Sequence, residues 1–151
     1  MRSDRGESLV EVLVAVTILG VAAVAVLAGM QMSVTASDIH RKQTTGSAYA
    51  RSYAEAITEY VASANAHYEP CAAANHYSPA LVGLTGLPAG FSATHTAAKR
   101  VGSSGAAGTC SGNDTGLQQL DITVSSADAR AAERLTVLVR KPCGVGMTVC
   151  S

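Results

Sequence analysis

The stretch Gly6-Glu7-Ser8-Leu9-Val10-Glu11-Val12-Leu13-Val14-Ala15-Val16-Thr17-Ile18-Leu19-Gly20 decides how this chain is organised. A short polar leader closes at Gly6, and a long apolar run with a single early acid, Glu11, follows. No Asp, Glu, Lys or Arg occurs between Glu11 and Asp38. That interval exceeds the roughly 20 residues that carry an α-helix across the hydrocarbon core of a bilayer. Val, Leu, Ile and Ala fill it on every side, the pattern of a helix immersed in lipid or in a bundle of like helices. Gly20 and Gly29 interrupt it. At Gly20 two readings stand side by side, a local loosening of the helix and a place for another helix to pack closely.

A carboxylate at the mouth of such a helix is costly unless something pairs with it. If the chain is cut after Gly6, the new α-amine has a reference pKa near 8 and is largely protonated at neutral pH. Glu11 of one copy could then pair with the amine of a neighbour displaced by about a turn and a half. Removing either partner would strand the other charge, so the pair would select register during assembly. The plainer reading is an interfacial acid that reaches the lipid headgroups. Arg2 and Arg5, offset by Asp4, place the N-terminus in the cytoplasm. An ordinary secretory signal cut near Ala22, Ala23, Ala25 or Ala28 is the rival, but its apolar stretch would be shorter.

Gly before the cut, Glu at the fifth position after it, and an apolar helix free of further charge together resemble the class III leader of type IV prepilins and type II secretion pseudopilins. The likeness runs from Gly6 to about Met30 and is closest over Glu11-Val12-Leu13-Val14-Ala15. It implies that a prepilin peptidase cleaves between Gly6 and Glu7 and N-methylates the amine of Glu7. One position departs from the pattern: Glu7 stands where the family usually carries Phe or Met. Glu7 and Glu11 also lie four residues apart on one helix face, where like charges repel mildly.

Beyond Asp38 the character changes. Tyr49, Tyr53, Ala56, Ile57, Tyr60 and Ala64 recur at spacings of three and four, while Arg51, Glu55 and Glu59 lie off that stripe. The spacing predicts one long helix from about Ser8 to about Asn65, on the order of 85 Å at 1.5 Å per residue. Gly46, among Thr44, Thr45 and Ser47, weakens helix propensity and marks a candidate bend. The expected segments are a leader at 1–6, an assembly helix at 7–37, an amphipathic half at 38–68 and a loop-rich β-domain at 69–151.

From Glu69 onward Gly, Ser, Thr and Ala dominate, and Pro70, Pro79, Gly83, Gly86, Pro88 and Gly90 punctuate a loop. Phe91 to Val101 reads as a weak strand. Leu120, Ile122 and Val124 alternate with polar residues, as do Leu135, Val137 and Val139, so an antiparallel hairpin follows. The Gly-rich run Gly102 to Gly108 reads as a flexible loop. The fold class is therefore α+β, a long N-terminal helix packed on a small antiparallel sheet. With one Phe and no Trp the core is small, and small cores use staples. Four cysteines permit three pairings. The pattern Cys71–Cys110 with Cys143–Cys150 is favoured, because the second pair is local and the first encloses the weakest structure. Loop-closure estimates give them roughly 4 and 2.5 kcal/mol respectively.

No cofactor or metal is expected. There is no CxxC spacing, and His67, His76 and His95 are scattered among loops. Ser111 to Gly116 holds too few acids for a Ca²⁺ site and reads as an Asx-type turn. No Ser/His/Asp set, framed carboxylate pair or phosphate loop supports catalysis. Equal numbers of acidic and basic residues, eleven each, advertise no nucleic-acid surface. The expectation is a non-enzymatic filament subunit of a type IV pilus or type II secretion pseudopilus, more like a minor subunit. Its partners would be copies of itself or other pilins, prepilin peptidase, an inner-membrane assembly platform and membrane lipid. A membrane-anchored binding module, for DNA uptake or adhesion, is the alternative; it would need a basic stripe or an aromatic cleft. An anchored secreted enzyme ranks third.

Overall fold

The computed structural model describes residues 7–112 and 114–143. Helix α1 runs without a break over Glu7–Ser63 and is followed by a single 3-10 turn at Asn65–His67. It stays α-helical through Gly20, Gly29 and Gly46, so the helix of this chain is not loosened at Gly20. The chain divides into two compact units between His40 and Arg41.

In the second unit, five strands form one antiparallel sheet: β1 Phe91–His95, β2 Lys99–Val101, β3 Ala107–Thr109, β4 Leu117–Ser126 and β5 Ala132–Arg140. β4 is the central strand. β5 pairs along one edge of it from Leu117↔Arg140 to Ser125↔Ala132. The other edge is shared by β1, from Phe91↔Ser126 to His95↔Ile122, and by β2 at Lys99↔Gln119 and Arg100↔Gln118. β3 pairs outside β2.

The expected single strand Phe91–Val101 is therefore two strands. Between them Thr96 donates its N–H to Asp121 O at 3.0 Å, whereas Ala98 turns inward and donates to Ala72 O at 2.8 Å. The inward turn spends on a neighbouring loop a donor that a continuous ladder would need. The Gly-rich run also departs from expectation. Gly105, at φ 79°, makes a turn that brings Ala107 and Gly108 back against Val101 and Arg100 as β3. Weak side chains there left no period to read, and backbone pairing alone makes the strand.

The core lies between the second half of α1 and the inner face of the sheet. The period-2 pattern of β4 sends Leu120, Ile122 and Val124 inward, each at most 1% exposed, and Asp121, Thr123 and Ser125 outward. The helix meets them with Ala50, Tyr53, Ala54, Ile57 and Val61. The small residues Ala50 and Ala54 let the helix approach, and they replace part of the Tyr-rich stripe expected there: Tyr49 and Tyr60 only flank the core.

A polar network ties the loop after the helix into this core. Tyr53 Oη donates to Tyr77 O at 2.5 Å. Gln118, fully buried on β4, donates to Glu69 O at 3.2 Å and accepts from Ala72 N–H at 3.4 Å. Tyr77 Oη accepts from Glu69 N–H at 2.9 Å. The Cys71–Cys110 disulfide, with Cα atoms 5.4 Å apart, fastens the same loop to the residue after β3. No buried side-chain N or O lacks a partner among the described residues, as low-dielectric burial requires.

Candidate functional site: the apolar half of the long helix

The first half of α1 has no core of its own. From Leu9 to Val34 its large apolar side chains are exposed; Leu19, Val21 and Val34 each show 70% or more of their surface. Soluble domains rarely leave an apolar surface of this extent uncovered. The helix is long and apolar enough to cross a membrane. Its threonine hydroxyls are satisfied within the helix. Thr17 Oγ1 donates to Leu13 O and Val14 O at 2.9 and 2.8 Å, and Thr35 Oγ1 to Gln31 O at 3.0 Å. Internal satisfaction of this kind is what a helix in hydrocarbon needs, since no water is there to supply bonds. At Gly20 and Gly29 an added Cβ would meet nothing within 4 Å of the same chain.

Glu11 lies on this surface, exposed, with no ion pair among the described residues. Glu7 is the first described residue of the helix; Gly6 lies outside the described residues. The geometry is thus an exposed acid, Glu11, set one turn after Glu7 near the start of an uncovered apolar helix.

Residues 1–27 match the family model described as the prokaryotic N-terminal methylation motif. The chain carries the type IV pilin and pseudopilin signal. No curated protein and no solved structure matches it significantly. The prepilin-type segment and the uncovered part of the helix coincide over Leu9 to Leu27, and the motif indicates a pilin-type substrate of prepilin peptidase. Motif and helix together fit anchoring in a membrane.

Elsewhere the structure gives the polar side chains structural work. Ser63 Oγ lies 2.9 Å from His67 Nδ1, a spacing that a nucleophile and its base would share. Both also reach Tyr60 O, at 2.7 and 2.9 Å. A carbonyl accepts only, so Nδ1 carries the proton and has no lone pair to take one from Ser63. The pair caps an orphan carbonyl at the C-terminal end of α1, and the His67 ring stacks on Tyr60 with centroids 4.1 Å apart.

His95, 3% exposed, accepts the Tyr77 N–H at Nε2 (2.9 Å) and donates from Nδ1 to Thr96 O (2.7 Å). Burial pushes its pKa down, so the neutral ring is favoured. Sequence reading left this role unseen, because nothing in the string His95-Thr96 reports a partner at Tyr77.

The Ser111–Gly116 segment has Gly112 and Gly116 at φ 82° and 75°, and Asp114 accepts from Tyr68 Oη at 3.0 Å. Burial, reinforced by that carboxylate, pushes the Tyr68 phenol well up. No group of three metal-ligating side chains occurs among the described residues. Cys150, and with it the expected Cys143–Cys150 bridge, lies outside the described residues.

Proposed function

We propose that this chain is a non-enzymatic structural subunit of a type IV pilus or a type II secretion pseudopilus. One observation carries the reading: a prepilin-type signal continuous with a helix whose apolar side chains find no cover in their own chain. Prepilin peptidase cuts between Gly6 and Glu7 and methylates the amine of Glu7. The helix, held in the cytoplasmic membrane with its N-terminus inside, is then drawn by an inner-membrane assembly platform into a bundle of like helices. Copies of the chain or other pilins cover the face from Leu9 to Val34 in place of lipid. Glu11 pairs with the N-terminal amine of a neighbouring copy and sets its register, because an unpaired charge in that bundle carries a large desolvation cost.

The binding-module alternative receives less support. Lys99 is paired with Asp121 at 2.8 Å, and Arg130 and Lys42 with Asp128 at 3.8 and 2.6 Å, so these three cations are neutralised where a nucleic-acid surface would leave them open; Arg134 and Arg140, exposed on β5, join no ion pair among the described residues.

Intact mass of the membrane-extracted protein tests the reading. The expected mass lacks residues 1–6; a chain that begins near Ala25, or that keeps Met1, overturns it. Glu11→Ala should leave cleavage intact and lower recovery in sheared filaments. Equal recovery would show that the acid does not set register.

A further inference from the structure

The strands at the rim of the sheet are β1, β3 and β5, and two of these edges are closed. β1 is occupied at both ends. Phe91 N–H donates to Pro88 O at 3.1 Å, His95 N–H to Asn75 Oδ1 at 2.9 Å, and His95 O accepts from Asn75 N–H at 3.1 Å. β3 spans only Ala107–Thr109 and runs into the Cys71–Cys110 bridge. β5 is different. The bonds that flank its ladder, Ser126 N–H to Ala131 O at 2.9 Å and Lys141 N–H to Gly116 O at 2.8 Å, fix its phase. Antiparallel pairs alternate between bonded and non-bonded, so the odd-numbered residues bond to β4. Ala132, Arg134, Thr136, Leu138 and Arg140 turn their N–H and C=O groups outward. None of those groups has a partner among the described residues. No proline or bulge interrupts the strand, and an open edge of this length is a template for another strand.

The side chains select what can pair there. Arg134 and Arg140 stand six residues apart on the solvent face, about 20 Å along a strand. Neither joins an ion pair among the described residues, and their β4 neighbours are Thr123 and Leu117. Leu138 between them is 55% exposed, and on the other face Leu135 and Val137 are only partly buried. A second copy of β5 fits this edge poorly. A two-fold axis perpendicular to the sheet would reverse the helix layer of one copy, whereas copies held in one membrane share a direction. An axis along the strand would join the Leu135–Val137 face of one copy to the solvent face of the other. The closed edges of β1 and β3 offer a second copy little to pair with. The chain's own residues 144–151 contain no acid.

We propose that the β5 edge takes up an extended segment of a different protein by strand addition, a segment with acidic residues six apart opposite Arg134 and Arg140 and apolar residues between them. Main-chain bonds to the outward groups hold the segment, and the alternating side chains choose it. The two ion pairs set its register, and an apolar residue opposite Leu138 completes the cross-strand contact. Exclusion of a second copy rests on the subunit reading; the open edge and its charges do not.

The test adds a synthetic peptide, with glutamates six residues apart and valine, leucine and threonine between them, to the full chain in detergent micelles. Bound peptide should slow amide exchange at Arg134, Thr136 and Leu138 and leave Glu133, Leu135 and Val137 unchanged, since these already bond to β4. Methylation of alternate backbone nitrogens of the peptide should abolish binding in one phase and spare it in the other. Arg134→Glu with Arg140→Glu should raise the Kd about tenfold at low salt, and a peptide with lysines for glutamates should recover it. Leu138→Pro removes an outward N–H without touching a β4 bond, and should abolish binding while the Cys71–Cys110 bridge stays intact on peptide mapping. Binding without protection at those amides, or indifferent to both the charge reversal and the methylation phase, overturns the proposal. Protection before peptide is added also overturns it, in favour of a second copy if it grows with protein concentration and of residues 144–151 if it does not. A chain recovered in sheared filaments that binds no peptide sinks this inference alone. Peptide binding by a chain that never enters filaments sinks the subunit reading alone.

Discussion

The two halves of α1 are one helix with two solvents. From Leu9 to Val34 apolar side chains point in all directions and remain uncovered, whereas from Arg41 to Ser63 they are confined to a stripe that the sheet buries. The first half must obtain its cover from lipid or from other chains; the second brings its own. The glycines show the same contrast. At Gly20 and Gly29 an added Cβ meets nothing, but at Gly46 it would stand 3.1 Å from Glu133 Cγ and 3.9 Å from the Phe91 ring. A glycine in the second half is thus read from the chain's own packing, while one in the first half can be read only from neighbours.

If that division is right, the largest effects belong to the second half and leave the first indifferent. Replacing Cys71 and Cys110 by Ser should cost about 4 kcal/mol on loop-closure grounds, visible as a lowered denaturation midpoint of the detergent-solubilised chain. Next, Leu120→Ala, in a fully buried site, should cost roughly 2–5 kcal/mol. Leu19→Ala should not move the unfolding transition of the β-domain at all, and a shift there would show that the two halves share a core.

A smaller effect is expected from pH. His95 titrates below its ordinary value because it is buried, and the His76 ring adds to the shift. The unfolded chain therefore binds a proton that the folded chain does not. Stability is full above the unfolded value near 6.5 and falls with pH below it, by up to about 1.4 kcal/mol per pH unit, until the folded value is reached. His95→Gln should be less stable throughout but should lose that slope. Asp121 lies in a separate window. Its bonds from Lys99 and Thr136 hold its pKa down, so its contribution is present above about 4 and is lost only in stronger acid. A slope between pH 5 and 6.5 that survives His95→Gln would point to another group.

The smallest effect separates the glycines. Gly46→Ala gains helix propensity of up to about 1 kcal/mol but must displace Glu133, so thermal unfolding should change by less than that amount. The double variant Gly46→Ala with Glu133→Ala should recover the gain. Gly20→Ala, with no such neighbour, should leave domain stability unchanged and act only on recovery in filaments.

The period of β4 and β5 was legible because alternation reports burial directly: Leu120, Ile122 and Val124 lie inside and Asp121, Thr123 and Ser125 outside. β3 was not, since Ala107, Gly108 and Thr109 carry no periodic signal and are strand only because β2 pairs with them. Within the helix, Tyr53 and Ile57 were readable from their spacing; Ala50 and Ala54 were not, because alanine suits either face of a helix and only the approach of the sheet selects the buried one.

Taken alone, the sequence determined the long apolar run with Glu11 near its start, the prepilin-type signal, and the α+β order of elements. These are properties of neighbouring residues, and charge exclusion and periodicity act locally. The tertiary structure decided which cysteine meets Cys71, which nitrogen of His95 holds its proton, and why Gln118 can be buried. Those depend on residues far apart in the chain, from Tyr53 to Gln118, that come within hydrogen-bonding distance only when helix and sheet close on each other.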